Sequence, residues 1–356
     1  MKKLIYILIF IITTMPVYSQ NLNGAVSRQN SIINNQQFIG DGSYTRTPVF
    51  TNNNDTMTVI NSEFTNNLNR LDAGCIRNTG NGILDITGTN FNNNSASNGG
   101  AIYLNNGSST ILNSLFKGNS ATTLGGSIYV NSGTLNITNS NLLDNKSQLG
   151  GGAIYIKSGN VTLDSTTVSN NSILGGATGG AISNNGTLTI KNNTVFSNNS
   201  ASLGAGGAIN NSGILNIENS VFDNNTCLND GGAITSSGSV TLTNTTFSNN
   251  TSTNGMAGAI VSNNLKIDNC TFENNTAKTF GGAIISSDAT INNSVFKNNT
   301  AQNYHGGAIV NLAGDIELNG HNLFEGNTAE RNGGAIYGLA NSIFTINGNS
   351  EFLNNS

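Results

Sequence analysis

Three tyrosines, Tyr103, Tyr129 and Tyr155, recur at equal intervals, each directly after an isoleucine: Ile102, Ile128 and Ile154. An aromatic beside a branched aliphatic at identical spacing marks one position repeated on successive copies of a unit, so the rings should stand in a row. The chemistry open to such a row is non-covalent. Flat aromatic faces stack on sugar rings or anchor an interface, and neither role needs a charged residue nearby. The competing reading is structural, because outward aromatics on adjacent strands also stabilise those strands. Tyr103, Tyr129 and Tyr155 are the candidate binding residues.

Side chains suited to covalent or metal chemistry are few and scattered. Charged residues make up 9% of the chain, against about 25% in typical globular proteins. The only histidines are His305 and His321, and neither has an acidic pair beside it in the sequence. Glycoside cleavage needs two carboxylates held in fixed relation, and nothing in the sequence supplies them locally. The expectation is therefore a non-enzyme without catalytic residues, metal or cofactor; an acidic pair assembled across repeats would overturn it. The formal net charge of -4 gives no basic footprint for nucleic acid.

Cys75, Cys227 and Cys270 each stand where other repeats carry a small residue. Cys75 takes the Ala slot of a Gly-Ala-Ile motif, Cys227 the slot of Ala121 and Ala277, and Cys270 the slot of Ser114. They read as small core or turn residues with free thiols. The spacings fit neither a disulfide framework nor a zinc site.

The elements that must position these side chains follow from the repeat itself. Gly-Gly-Ala-Ile alternates with Phe-x-x-Asn along the chain, and the motif isoleucines from Ile76 to Ile336 keep a nearly constant spacing. In Gly99 to Ser120, Ile102 and Leu104 alternate with Ala101 and Tyr103, which is the period of a strand with one buried face. Leu135-Asn136-Ile137 and Val161-Thr162-Leu163 repeat that alternation in a second strand, and the Phe position closes a third. Three short strands and three turns in about 26 residues predict an all-β fold, a parallel β-helix of about 12–13 coils. No 3.6-residue stripe persists, and the intervening Asn, Ser, Thr and Gly disfavour helix. The Asn three residues after each Phe, such as Asn119, Asn145 and Asn171, should stack into a ladder at a corner.

A second outward column runs between the apolar residues of the second strand, through Thr110, Thr162, Thr189 and Thr241, with Asp85, Lys266 and Glu317 interrupting it. A flat threonine array resembles the ice-binding faces of some β-solenoids, although threonine is common on strands for other reasons.

Lys2 and Lys3 precede an apolar stretch from Leu4 to Ile12, and Val17-Tyr18-Ser19 offers a cleavage site. Residues 1–19 read as a signal peptide and residues 20–356 as one repeat domain, destined for secretion or the cell surface. The sequence stops inside a repeat at Phe352-Leu353-Asn354-Asn355-Ser356, which would leave an edge for pairing with another chain.

The alternation of Gly-Gly-Ala-Ile and Phe-x-x-Asn resembles the repeats of chlamydial polymorphic membrane proteins and is similar to repeats in adhesin-like surface proteins of methanogenic archaea. The resemblance covers roughly residues 24–356. It implies a right-handed β-helix of the pectin-lyase-like group, displayed at the cell surface or outer membrane as an adhesin. The implied partners are host-cell or cell-envelope glycans or proteins. The chlamydial proteins end in an outer-membrane barrel that this sequence does not show. The alternative reading is a polysaccharide-active lyase or hydrolase on the same scaffold.

Overall fold

The computed structural model describes residues 26–27, 30–176 and 178–356. The expected signal peptide lies outside the described residues. The chain coils as a parallel β-helix in which every strand pairs with its copy one coil on. Among the described residues the strands gather into a 24-stranded, a 13-stranded and a 12-stranded sheet. At about 4.8 Å per coil the body is a rod roughly 60 Å long.

One coil shows how the sequence turns. Ile234–Ser236 and Ser239–Thr243 lie in the largest sheet, Thr246–Ser248 in the second and Thr251–Ser252 in the third. A coil therefore holds four strands where the sequence suggested three. The added one is a two-residue Thr/Ser-Ala step, as at Thr276–Ala277 and Thr300–Ala301. The Phe position sits in the middle of the third strand rather than closing it, as in Thr271–Glu273.

Ile182, Ile209, Ile234 and Ile260 pair in register and are fully buried. A buried side chain of this kind contributes roughly 1.5–3 kcal/mol, but only when a neighbouring coil covers it. Phe196, Phe222, Phe247, Phe272, Phe296 and Phe324 stack ring on ring with centroids 4.7–5.0 Å apart. Parallel pairing in register sets that distance, because strand spacing and aromatic stacking distance nearly coincide.

The abundant Asn-Asn pairs divide two tasks between them. The first member turns the backbone into the left-handed region, as at Asn224 (φ 55), Asn249 (φ 56) and Asn274 (φ 56). Asn adopts this conformation more readily than other residues with a side chain. The second member points inward and builds the ladder. Asn145 Nδ2 donates to Asn171 Oδ1 at 3.0 Å and to the Phe116 carbonyl at 3.0 Å, while Asn145 Oδ1 accepts the Asn119 N–H at 2.9 Å. The polar groups of this corner are thereby satisfied inside the rod.

At the opposite corner the Gly-Gly pair is required sterically. Gly231 adopts φ +71, and a side chain on Gly232 would collide with the Gly258 carbonyl one coil on. The coil that pairs with Ile76 lacks this motif. Phe50, preceded by Pro48 and Val49, takes the isoleucine slot there.

Candidate functional site

The residue after each motif isoleucine points away from the main core, so these positions form an outer column. Thr51 pairs with Arg77, Arg77 with Tyr103, Tyr103 with Tyr129, Tyr129 with Tyr155 and Tyr155 with Ser183. The three tyrosines thus stand in the row that their spacing implied. Their ring faces, however, are turned on one another. The centroids are 4.9 and 5.3 Å apart, with interplanar angles of 1° and 19°. Tyr129, between the other two, is 7% exposed. The column therefore turns outward the partly exposed edges of Tyr103 and Tyr155, with Tyr129 almost wholly covered, and not three open faces for sugar stacking.

The ends of the stack are engaged as well. The Arg77 guanidinium carbon lies 5.6 Å from the Tyr103 ring centroid, a distance at which a cation is attracted to an aromatic face. Asn185 Nδ2 donates to the Tyr155 hydroxyl at 3.1 Å. Burial, reinforced by the charges of Tyr103, Tyr155 and Asp72, pushes the Tyr129 phenol up to about 12. Burial also raises Tyr103, with Asp72 adding to the shift and Arg77 opposing it. At neutral pH the Tyr103 and Tyr129 phenols are therefore neutral. On the corner that leads into the Gly-Gly pair, Leu149, Leu174 and Leu203 are exposed in three successive coils.

Sequence reasoning missed Arg77, although it lies one repeat before Tyr103 and in the same slot. It also missed a second aromatic outcrop. Phe280 stacks on Tyr304 with centroids 4.9 Å apart, Arg331 lies 4.7 Å from the Tyr304 centroid, and His305 stacks on Tyr337 at 4.2 Å. The signal was faint: Phe280 and His305 each directly precede a Gly-Gly pair. The column exists in register from Thr58 through Thr345, interrupted by the charges of Asp85, Lys266 and Glu317 as the sequence indicated and by Asn136 and Asn216.

The cysteines occupy the slots assigned to them and are buried, free thiols. Cys270 Sγ accepts the Thr245 N–H at 3.5 Å and donates to the Asp268 carbonyl at 3.3 Å. The hydroxyl of Ser114 makes the matching pair of bonds, accepting the Thr89 N–H of the coil before and donating to the Leu112 carbonyl. Burial raises all three thiols, Cys227 to about 12 and Cys270 to about 11. Among the described residues no group of three or more His, Cys, Asp or Glu side chains is arranged to hold a metal ion. No helix of the described residues is long and apolar enough to cross a membrane, which leaves β-barrels unaddressed.

Two protein families match the chain. Residues 152–323 match the family described as right handed beta helix region. Residues 88–105, 113–131 and 323–339 match the Chlamydia polymorphic membrane protein repeat. No curated protein matches the chain, and neither does any solved structure. The first family fixes the hand of the coil, and the second covers Tyr103 and Tyr129. The protein is a parallel β-helix whose residues 152–323 match the right-handed β-helix family and three of whose segments match the polymorphic membrane protein repeat.

Proposed function

We propose that this chain is an exported, non-enzymatic, adhesin-like rod that works at the cell surface and attaches to glycans or proteins of a host cell or a cell envelope. The observation that carries the reading is the tyrosine column. A stiff solenoid holds Tyr103, Tyr129 and Tyr155 outside its main core, in one line about 10 Å long, with Tyr103 and Tyr155 partly exposed on either side of Tyr129. Rigid aromatic side chains with a polar tip contribute contact area at little entropic cost, which suits an anchor. Polymorphic membrane protein repeats on a β-helix accord with such a role.

Two assays on the purified chain test the proposal together. Beads coated with the chain should attach to epithelial cells or to isolated envelopes above the level of albumin-coated beads. Incubation with a panel of acidic and neutral polysaccharides should release neither reducing ends nor unsaturated products. Failure of the beads to attach removes the adhesive reading. Release of either product moves the assignment to a lyase or hydrolase on the same scaffold.

A further inference from the structure

At the head of the tyrosine column the chain forms a cleft of about 380 Å³, lined among others by Arg46, Thr51, Leu71, Asp72, Arg77 and Ser97. It arises because residues 46–48 depart from the repeat and run beside the outer column instead of delivering a Gly-Gly pair. Thr51 and Arg77 are neighbours in register and enter the cleft from adjacent strands.

Four features of the cleft speak to its ligand. Arg77 lies over Tyr103 on one side, and its Nε is buried without a hydrogen-bond partner among the described residues. A buried guanidinium N–H left unpaired is costly, and the fork it belongs to fits a carboxylate by two parallel bonds. Arg46 adds a second positive charge on the exposed side of the same cleft. Asp72 is held by Asn98 Nδ2 at 2.9 Å, so its second oxygen remains an acceptor. With the hydroxyls of Thr51 and Ser97, it suits a ligand that carries hydroxyl groups as well as an acid. Leu71, 57% exposed, supplies an apolar wall.

We propose that this cleft binds a sugar acid, the carboxylate-bearing residue of an acidic glycan. The carboxylate pairs with Arg77 and Arg46, hydroxyls donate to Asp72, and the ring lies against Leu71. A peptide carrying an acidic side chain is disfavoured by the backbone. Thr51 is paired with Ser27 on one side and Arg77 on the other, and Arg77 in turn with Tyr103. An extended peptide therefore finds no free strand edge there. The assignment rests on the adhesive reading above and names the chemistry of its first subsite.

The test is calorimetric titration of the full chain with a glucuronate-terminated oligosaccharide and with its glucose-terminated counterpart. The acid should bind at least about ten-fold more tightly than the neutral sugar. R77Q should remove that difference without changing the melting temperature. R77K, which keeps the charge and loses the fork, should recover only part of it. If R77Q lowers the melting temperature, R46Q, at an exposed position outside any strand, carries the test and should weaken the acid alone.

Equal affinity for the two sugars, or an acid preference untouched in both arginine variants, overturns the proposal. So does a glutamate-rich peptide that outcompetes the oligosaccharide, since the ligand would then be a protein. Two outcomes separate this proposal from the reading on which it rests. Loss of cell attachment on replacing the tyrosines, with no acid preference in the parent, removes the sugar-acid site alone. Loss of acid binding in the arginine variants, with full attachment after replacing the tyrosines, removes the tyrosine face and leaves the cleft.

Discussion

The rings of Tyr103 and Tyr129 lie 4.9 Å apart and within 1° of parallel, although a full coil of chain separates them. Tyr129 stacks on Tyr155 as well. Replacing Tyr129 by Ala removes two ring contacts, each contributing about 0.5–1.5 kcal/mol beyond area burial. Tyr129→Ala should therefore cost at least about 1–3 kcal/mol in urea unfolding, with the lost burial of a 7% exposed ring in addition. Tyr155→Ala, which loses one contact, should cost about half as much. Equal losses would show that the column does not act as a continuous stack.

Ile209 is fully buried between Ile182 and Ile234, while Asn210, one residue on, faces outward. Ile209→Asp places a charge in an apolar column without a partner and should destabilise the rod by more than about 4 kcal/mol. Asn210→Asp should change stability by less than about 0.5 kcal/mol. Equal melting temperatures for the two variants would refute the assignment of inner and outer faces.

Asn145→Ala deletes one rung of the inner ladder. The buried Asn119 N–H, the Phe116 carbonyl and Asn171 Oδ1 each lose a bond to Asn145. Unsatisfied buried groups cost about 1–3 kcal/mol each, so the total loss should exceed about 2 kcal/mol even after partial relaxation. The preceding residue, Asp144, cannot supply a substitute rung, because it is committed to the left-handed turn at φ 59. Chemical unfolding of Asn145→Ala alongside Asn210→Ala checks the point, and comparable values would mean the ladder adds no stability.

The cysteines give a pH-dependent prediction. Burial raises Cys270 from 9.0 to about 11 and Cys227 to about 12. A thiol whose folded pKa is raised contributes full stability below the unfolded value and loses it as pH rises towards the folded value. Stability should accordingly be flat below about pH 8 and fall between about pH 9 and 11. Ellman's reagent at about pH 8 should label the thiols only after unfolding. Cys270→Ser, which restores the hydroxyl found at Ser114 and Ser294, should fold normally and reduce the alkaline loss.

The architecture was legible because Ile and Phe recur with almost constant spacing and their neighbours alternate in polarity. Ile209 and Phe222 needed no structure to be placed inside. The two-residue strand at Thr276–Ala277 was not legible, since two residues are too few to show an alternation. The ladder member of each Asn pair was legible from its place three residues after the Phe, as Asn225 follows Phe222, but the left-handed turn taken by its neighbour Asn224 was not, because the two differ in backbone angle and not in residue type. The row of tyrosines was visible in the sequence, but not its turning inward on itself. That depends on side-chain rotation, which lets rings one strand spacing apart close face to face. The cleft at Arg46 and Arg77 was hidden for a different reason. Residues 46–48 break the repeat, and the repeat was the only guide to position.

The central claim is that the tyrosine face makes the attachment. The direct measurement is attachment of beads coated with the triple Tyr103→Ala, Tyr129→Ala, Tyr155→Ala chain, with circular dichroism confirming that the β-helix persists. Single replacements at Tyr103 or Tyr155 should weaken attachment modestly, and the folded triple variant should lose most of it. A triple variant that keeps its β signature and attaches as strongly as the parent would contradict the account and make the column a purely structural stack.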